Sequence, residues 1–389
     1  MKKGLFRLQY ELDSDQAYAE QGVDQGAKLV EEHEVDEEIK EILDATANLS
    51  PKEWLKWLYD NKEDHPSLAV IPLSTLTPEA MHYRLEDKHP KIIFLTRPLH
   101  TIQKLNECLY MANEMVESGT YLCCHSMTAV LKRNLLEQRY PWGIRQVAIA
   151  SQYLWHRVCP KLRLTRSLYF TITEGKDRTF SRVEILGRLY RAGFEVVDER
   201  FHHGEFFVTA RKVKAPVQDT EPTGSPIIHL RRRGKNGKEI VVHKFRTMFT
   251  YSEYIQTYIY RYQHLQSGGK FKDDYRVTPW GRFLRKVWLD EIPMVWNMLR
   301  GEMKLVGVRP LSKQYFNLYT PEMQELRTRT KPGLLPPFYY EQKTPETIDE
   351  IQASERRYLE AYLKSPFKTD WRYFWGIVGN IIFHRKHSA

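Results

Sequence analysis

The chain has 389 residues, and at ~100–200 residues per domain that predicts two or three domains rather than one core. A hydrophobic fraction of 42% and a charged fraction of 28% are those of a globular protein and exclude a disordered one. The 59 Lys and Arg exceed the 49 Asp and Glu, unevenly: residues 231–389 carry 29 against 16, whereas residues 1–230 carry 30 against 33. The basic half therefore suits something anionic, such as nucleic acid, nucleotide phosphates or an anionic membrane surface.

No run approaches the ~18 consecutive apolar residues of a membrane-spanning helix, which excludes an integral membrane protein of the usual kind but not a peripheral one. The opening MKKGLFRLQYELDSD lacks the apolar stretch of a secretory signal. Cys108, Cys123, Cys124 and Cys159 show no metal-ligand spacing, so they read as small buried thiols of a reducing cytosol.

Residues 1–50 hold 13 Asp and Glu against 5 Lys and Arg. Within them, Glu31–Asp44 predicts an acidic surface helix with Val35, Ile39 and Leu43 on one stripe. Within a domain expected over 51–213, residues 65–215 alternate strand-like runs (68–74, 91–96, 120–126, 194–199 and 206–212) with helical patterns such as Ile102–Val116. Ser181 and Glu184 make a capping box, and Gly193 takes the left-handed position after the last turn of the helix. This alternation predicts an α/β domain with a largely parallel sheet. Its helix, followed by Ala-Gly-Phe-Glu-Val-Val-Asp and a last strand, remotely resembles the second half of a class I methyltransferase. No G-x-G-x-G loop follows a strand, so a cofactor-free scaffold is expected.

Residues 214–226, with three prolines and no apolar periodicity, predict a linker. Beyond it, Asn236-Gly237 predicts a hairpin between Ile227–Arg232 and Glu239–Met248. Alternation puts Lys244, Arg246 and Met248 on one strand face, a cationic pair suited to phosphate or carboxylate. Tyr251, Tyr254, Ile255, Tyr258, Ile259 and Tyr262 fall at helical spacing, most simply a packing face.

From Thr278 the sequence runs TPWGRFLRKVWLDEIPMVWNMLRGEMKLVGVRP. Thr278 and Pro279 suit an N-cap and first helical residue. Trp280, Phe283, Leu284, Val287 and Trp288 form an apolar side, and Arg282, Arg285 and Lys286 a polar one. Asp290 and Glu291 follow, beside these cations. Two readings are open: an ion-paired helix junction, or a catalytic pair in which one carboxylate attacks phosphorus or binds Mg²⁺ while the other orients it.

KFRTM, the block from Leu284 to Pro310, and KPG together resemble the bacterial sugar transferase family, over about residues 226–389. These are monotopic polyprenyl-phosphate phosphoglycosyl transferases. The resemblance implies an α+β catalytic domain at 227–389. It would transfer a sugar-1-phosphate from a UDP-sugar to a polyprenyl phosphate, through a phospho-sugar on an aspartate, with Mg²⁺ required and UMP leaving. Such reactions begin capsule, exopolysaccharide and other glycan assembly. Carried over, Asp290 is the nucleophile and a Mg²⁺ neighbour, and Glu291 supports the metal or the acceptor's protonation. Arg285 and Arg309 bind phosphate, with Lys244, Arg246 and Arg282 beside them.

The chain departs from the family at Met294, at Val308 and at Pro332-Gly333-Leu-Leu-Pro336-Pro337-Phe. The polar linker stands where the family carries a re-entrant hydrophobic helix. Trp371, Phe374, Trp375, Val378, Ile381 and Ile382 share a helical face before the basic His384-Arg-Lys-His387, which suits an interfacial helix on an anionic membrane or a helix docking on the core. A peripheral enzyme on the cytoplasmic face of the inner membrane is the expectation, with a homo-oligomer compatible. The alternative is a non-catalytic family member serving as scaffold or partner of a membrane-bound glycan-assembly enzyme. Nucleic acid is not an expected partner, because the bases cluster around carboxylates that repel a phosphate backbone.

Overall fold

The computed structural model describes residues 37–384 except 62, 72–88, 218–223, 257, 260–264, 267–269, 272–273, 342–344 and 346. The chain divides into two units, Met1–Gly224 with Phe249–Tyr258, and Ser225–Met248 with Ile259–Ala389.

In the first unit, helices α1 (Glu37–Thr46) and α2 (Pro51–Asn61) precede strands β1 (Leu68–Ile71) and β2 (Ile92–Leu95). Then come α3 (Leu105–Glu114), β3 (Tyr121–Ser126), α4 (Ala129–Arg139), α5 (Trp142–Tyr153), α6 (Arg163–Thr173), α7 (Arg182–Arg191), β4 (Phe194–His202) and β5 (Glu205–Lys212). The sheet order is β1-β2-β3-β5-β4. β1, β2 and β3 are parallel, and β5 runs antiparallel to both of its neighbours. The expected α/β class holds, with the parallel part confined to those three strands.

β2 and β3 are buried along their whole length, covered on both faces: β2 as a continuous apolar strand, β3 with His125 and Ser126 at its end. In β5, Phe206, Val208 and Ala210 are buried and their neighbours are not, the period-2 pattern of a half-covered strand. The acidic helix is not a separate surface segment. Ile39 and Ile42 are buried in one cluster with Trp54, Leu58, Leu68, Ile92 and Phe94, and Leu43 packs against it. Val35 lies outside the described residues. The capping box at Ser181 and Glu184 forms, and Gly193 has φ +87°. All four cysteines are buried free thiols. Tyr251 and Tyr258 are buried as a packing face, with Asn106 Nδ2 donating to Tyr251 Oη at 2.8 Å and Tyr258 Oη to Glu199 at 2.7 Å.

The second unit opens with the hairpin β6 (Ile227–Arg233) and β7 (Glu239–Phe245). Asn236 and Gly237 both have positive φ, and Lys238 N–H donates to Lys235 C=O at 3.2 Å, the geometry a type I′ turn requires. A short pair, β8 (Leu265–Gln266) and β9 (Lys270–Phe271), precedes α8 (Pro279–Lys286), α9 (Met294–Leu299) and β10 (Lys304–Val306). The unit ends with α10 (Lys313–Phe316), α11 (Pro321–Thr328), β11 (Gly333–Leu335), α12 (Ile348–Lys364) and α13 (Pro366–His384).

Val242, Met294 and Met303 form a small core between the hairpin and α9. Buried Asn297 locks it, accepting from His243 N–H and donating to Val241 C=O and Glu302. A larger core joins Val306, Val308, Met323, Tyr339, Tyr358, Leu359, Tyr373 and Ile377. β10 pairs parallel to β11. A Cβ on Gly333 would lie 2.1 Å from Gly307 N, so this crossing admits only glycine.

The C-terminal helix docks on the core, and its expected apolar face is divided. Tyr373 and Ile377 are buried, Phe374 and Ile381 pack against the same core, and Asn380 donates to the carbonyls of Tyr339 and Tyr340. Trp371 and Trp375 stay more than half exposed. The basic tail Arg385–His387 lies outside the described residues. No helix among the described residues is long and apolar enough to cross a membrane.

Candidate active site

Asp290 is brought to its place by an unusual turn. α8 begins at Thr278, whose hydroxyl accepts from Gly281 N–H at 2.8 Å, with Pro279 at the first helical position. The helix ends at Val287, and Trp288 adopts the left-handed conformation at φ +61°. For a bulky side chain that conformation costs about 1–3 kcal/mol and must be imposed by its surroundings. The Trp288 ring is held edge-on by Tyr339, with centroids 4.9 Å apart. The single 3-10 turn Leu289–Glu291 follows at once and turns Asp290 inward.

Asp290 is 5% exposed, and its Oδ1 is buried with no hydrogen-bond partner. Burial raises its pKa above the ordinary carboxylate value and the Glu291 charge adds to this, while Lys244 and Arg285 act against them. Glu291 is engaged otherwise, since Lys244 Nζ donates to its Oε1 at 2.5 Å. β7 supplies Lys244, and Thr247 just beyond it supplies a hydroxyl that accepts from Arg285 Nε at 3.0 Å. Burial lowers the Arg285 pKa; Asp290 and Asp274 oppose this, and Arg309 and Arg276 reinforce it.

Asp290, Glu291, Lys244, Arg285 and Arg309 thus share one electrostatic neighbourhood. Arg309 is exposed. Its backbone carbonyl accepts from Arg327, which is itself paired with buried Glu355. Arg246 Nε donates to the Ser225 carbonyl at 2.8 Å, which ties the strand end to the start of the unit. Arg282 lies half-buried on α8.

Sequence reasoning missed several members. Arg276 clamps Asp274 with two nitrogens, at 2.7 to 3.1 Å, and both charges act on Arg285. Arg232 is depressed by burial and by the Arg309 charge. The Arg231–Arg233 run was a signal for the latter, since only alternate residues of a strand face one side. Thr247 and Tyr339 had no signal, because each matters through a contact distant in sequence.

The carboxylate set permits one kind of cation site. Among the described residues no cluster of three or more His, Cys, Asp or Glu could cage a metal. The unpartnered Asp290 Oδ1 nevertheless fits Mg²⁺, which takes one or two carboxylates and completes its shell with water and substrate phosphates.

A stripe of α9 and the turn before it is apolar yet exposed: Leu289, Ile292, Val295, Trp296 and Leu299.

Residues 209–382 match the profile of the family described as "Bacterial sugar transferase". The chain is 38% identical over 112 residues to the "Uncharacterized sugar transferase EpsL" of Bacillus subtilis (strain 168), covering 28% of this chain and 49% of that protein. It is 36% identical over 122 residues to the "Galactosyl transferase CpsE" of Streptococcus agalactiae serotype III, covering 30% and 26%. It is 33% identical over 117 residues to the "Undecaprenyl-phosphate galactose phosphotransferase" of Salmonella typhimurium, covering 28% and 24%. The chain therefore spans between a quarter and a half of the length of these relatives. A solved O-methyltransferase family 2 protein from Planctomyces limnophilus covers 32% of this chain at 16% identity with a TM-score of 0.21, too low to bear on the sheet. The similarity to the bacterial sugar transferase family thus lies in residues 209–382 of this chain.

Proposed function

We propose that the second unit transfers a sugar-1-phosphate from a UDP-sugar to a polyprenyl phosphate, with Asp290 as nucleophile. The observation that carries this is the buried, unpartnered Asp290 Oδ1 set among cations. An Asp290 oxygen forms a bond to the sugar-bearing phosphorus as the bond to UMP breaks, and UMP leaves with the electron pair. A polyprenyl-phosphate oxygen then attacks the same phosphorus, the acyl phosphate bond breaks, and the carboxylate is restored. Arg285 and Arg309 neutralise charge on the transferring group, as phosphoryl transfer demands. Lys244 holds Glu291 beside the reacting carboxylate. Asp290, with Glu291 adjacent, would hold Mg²⁺, which when bound neutralises diphosphate charge.

The enzyme would meet its lipid as a peripheral protein. Exposed Trp371 and Trp375 on α13, and the apolar stripe of α9, supply amphipathic surface of the kind that enters a bilayer interface. The test is transfer of radiolabel from UDP-sugars to polyprenyl phosphate in membranes. Wild type forms a lipid-linked product and Asp290→Asn forms none. Product formation by Asp290→Asn at the wild-type rate defeats the proposal.

A further inference from the structure

The first unit holds a cavity of about 650 Å³ that no part of the transfer reaction uses. Seven of its described lining residues are Lys or Arg, against one carboxylate, Glu107. Glu107 is already paired with Lys104 at 3.0 Å. Arg157 and Lys161 share the buried carboxylate of Glu184, two cations on one anion.

Arg178 and Arg188 make no salt bridge with any described residue. Arg178 Nη2 donates to the Ile102 and Gln103 carbonyls, and its guanidinium lies 5.1 Å from the Phe180 ring centre. Arg188 donates to Asn106 Oδ1 and sits over Tyr251 at 4.2 Å and Phe180 at 4.8 Å, while its Nε is buried without a partner. Carbonyl dipoles and aromatic faces offset part of the cost of burying a cation, but not the whole of it. Burial, with Arg188 alongside, presses Arg178 down to about 10. The amino end of α3, where Lys104 gives no side-chain cap, opens on the same cavity and adds its positive dipole end.

We infer that this cavity is a binding site for a phosphate-bearing small molecule of nucleotide size. Its volume lies in the range of small-ligand sites. Arginine forks match phosphate oxygens with paired N–H donors, and half-buried Phe170 adds aromatic surface to the wall. The site is built from residues of the first unit and does not rest on the reaction proposed at Asp290.

Calorimetric titration of the full chain with inorganic pyrophosphate tests it, in an Arg285→Gln/Arg309→Gln background that removes cations near Asp290. One pyrophosphate should still bind. Arg166→Glu, at the exposed rim and outside the core, should weaken it at least tenfold. Arg178→Gln/Arg188→Gln should abolish it with circular dichroism unchanged; if that pair unfolds, the rim variant decides. Citrate in the same background should bind more weakly. The inference is overturned if no pyrophosphate binds there, if Arg166→Glu leaves the affinity unchanged, or if citrate binds more tightly.

Discussion

The Trp288 indole meets the Tyr339 ring edge-on at 4.9 Å, and this contact joins the strained turn before Asp290 to the loop after Gly333. That loop includes Pro336-Pro337-Phe338, part of one of the departures from the sugar transferase pattern noted in the sequence. A 3-10 turn over Pro337–Tyr339 aims the ring at the turn that carries Asp290. This loop therefore supports the Asp290 turn by packing.

Removing that ring should relax Trp288 and misplace Asp290. Tyr339→Ala is expected to lower stability by about 3–5 kcal/mol, the usual cost of truncating a buried aromatic. It should also cut kcat at least tenfold in folded protein, whereas Tyr339→Phe should keep most of both. Urea unfolding and lipid-product assays measure the pair; equal activity in all three proteins would separate the ring from catalysis.

Asp290 has its pKa raised, first by burial and then by Glu291. Its charge therefore costs stability at neutral pH, and that cost disappears as pH falls through the raised value. The proposed reaction has the opposite sign, because it needs Asp290 ionised: kcat/KM should fall as pH falls through the same value. Asp290→Asn should abolish transfer while the Tm holds or rises at pH 7. A clear drop in Tm would show that the carboxylate is structural.

Gly333→Ala puts a methyl group 2.1 Å from Gly307 N and 2.5 Å from Gly307 Cα. Neither backbone atom can yield without parting β10 from β11. The expected loss is about 3 kcal/mol by denaturant titration, and a near-neutral result would mean that the crossing is more open.

Trp371→Ala/Trp375→Ala removes two exposed rings and leaves Tyr373 and Ile377 in the core. Binding to phosphatidylglycerol vesicles should weaken about fivefold or more with no change in Tm. Adding Trp296→Ala/Leu299→Ala should weaken it further if α9 faces the same surface. Undiminished pelleting of the four-residue variant would place membrane contact elsewhere.

Much of the local structure was legible in sequence. The capping box at Ser181, the Asn236-Gly237 turn, the Thr278-Pro279 helix start and the buried strands around Phe94 and Cys123 follow from short-range stereochemistry and alternation. The acidic helix was misjudged, because its charge density hid Ile42, which joins the core. For α13 the sequence left an interfacial and a core-docking helix open, and the helix docks Phe374 and Ile381 on the core while Trp371 and Trp375 stay exposed. An apolar stripe wider than its docking surface must leave part of itself in water, and periodicity does not say which part.

The sequence by itself determined which groups could do chemistry: an adjacent Asp290 and Glu291, with arginines and a lysine in the same basic half. Only the tertiary structure decided their states. Lys244, 47 residues before Glu291, takes it up and leaves Asp290 Oδ1 open, and Thr247 sets Arg285. Charge and hydrogen bonding act over a few ångströms through space, and folding alone chooses which distant residues come that close.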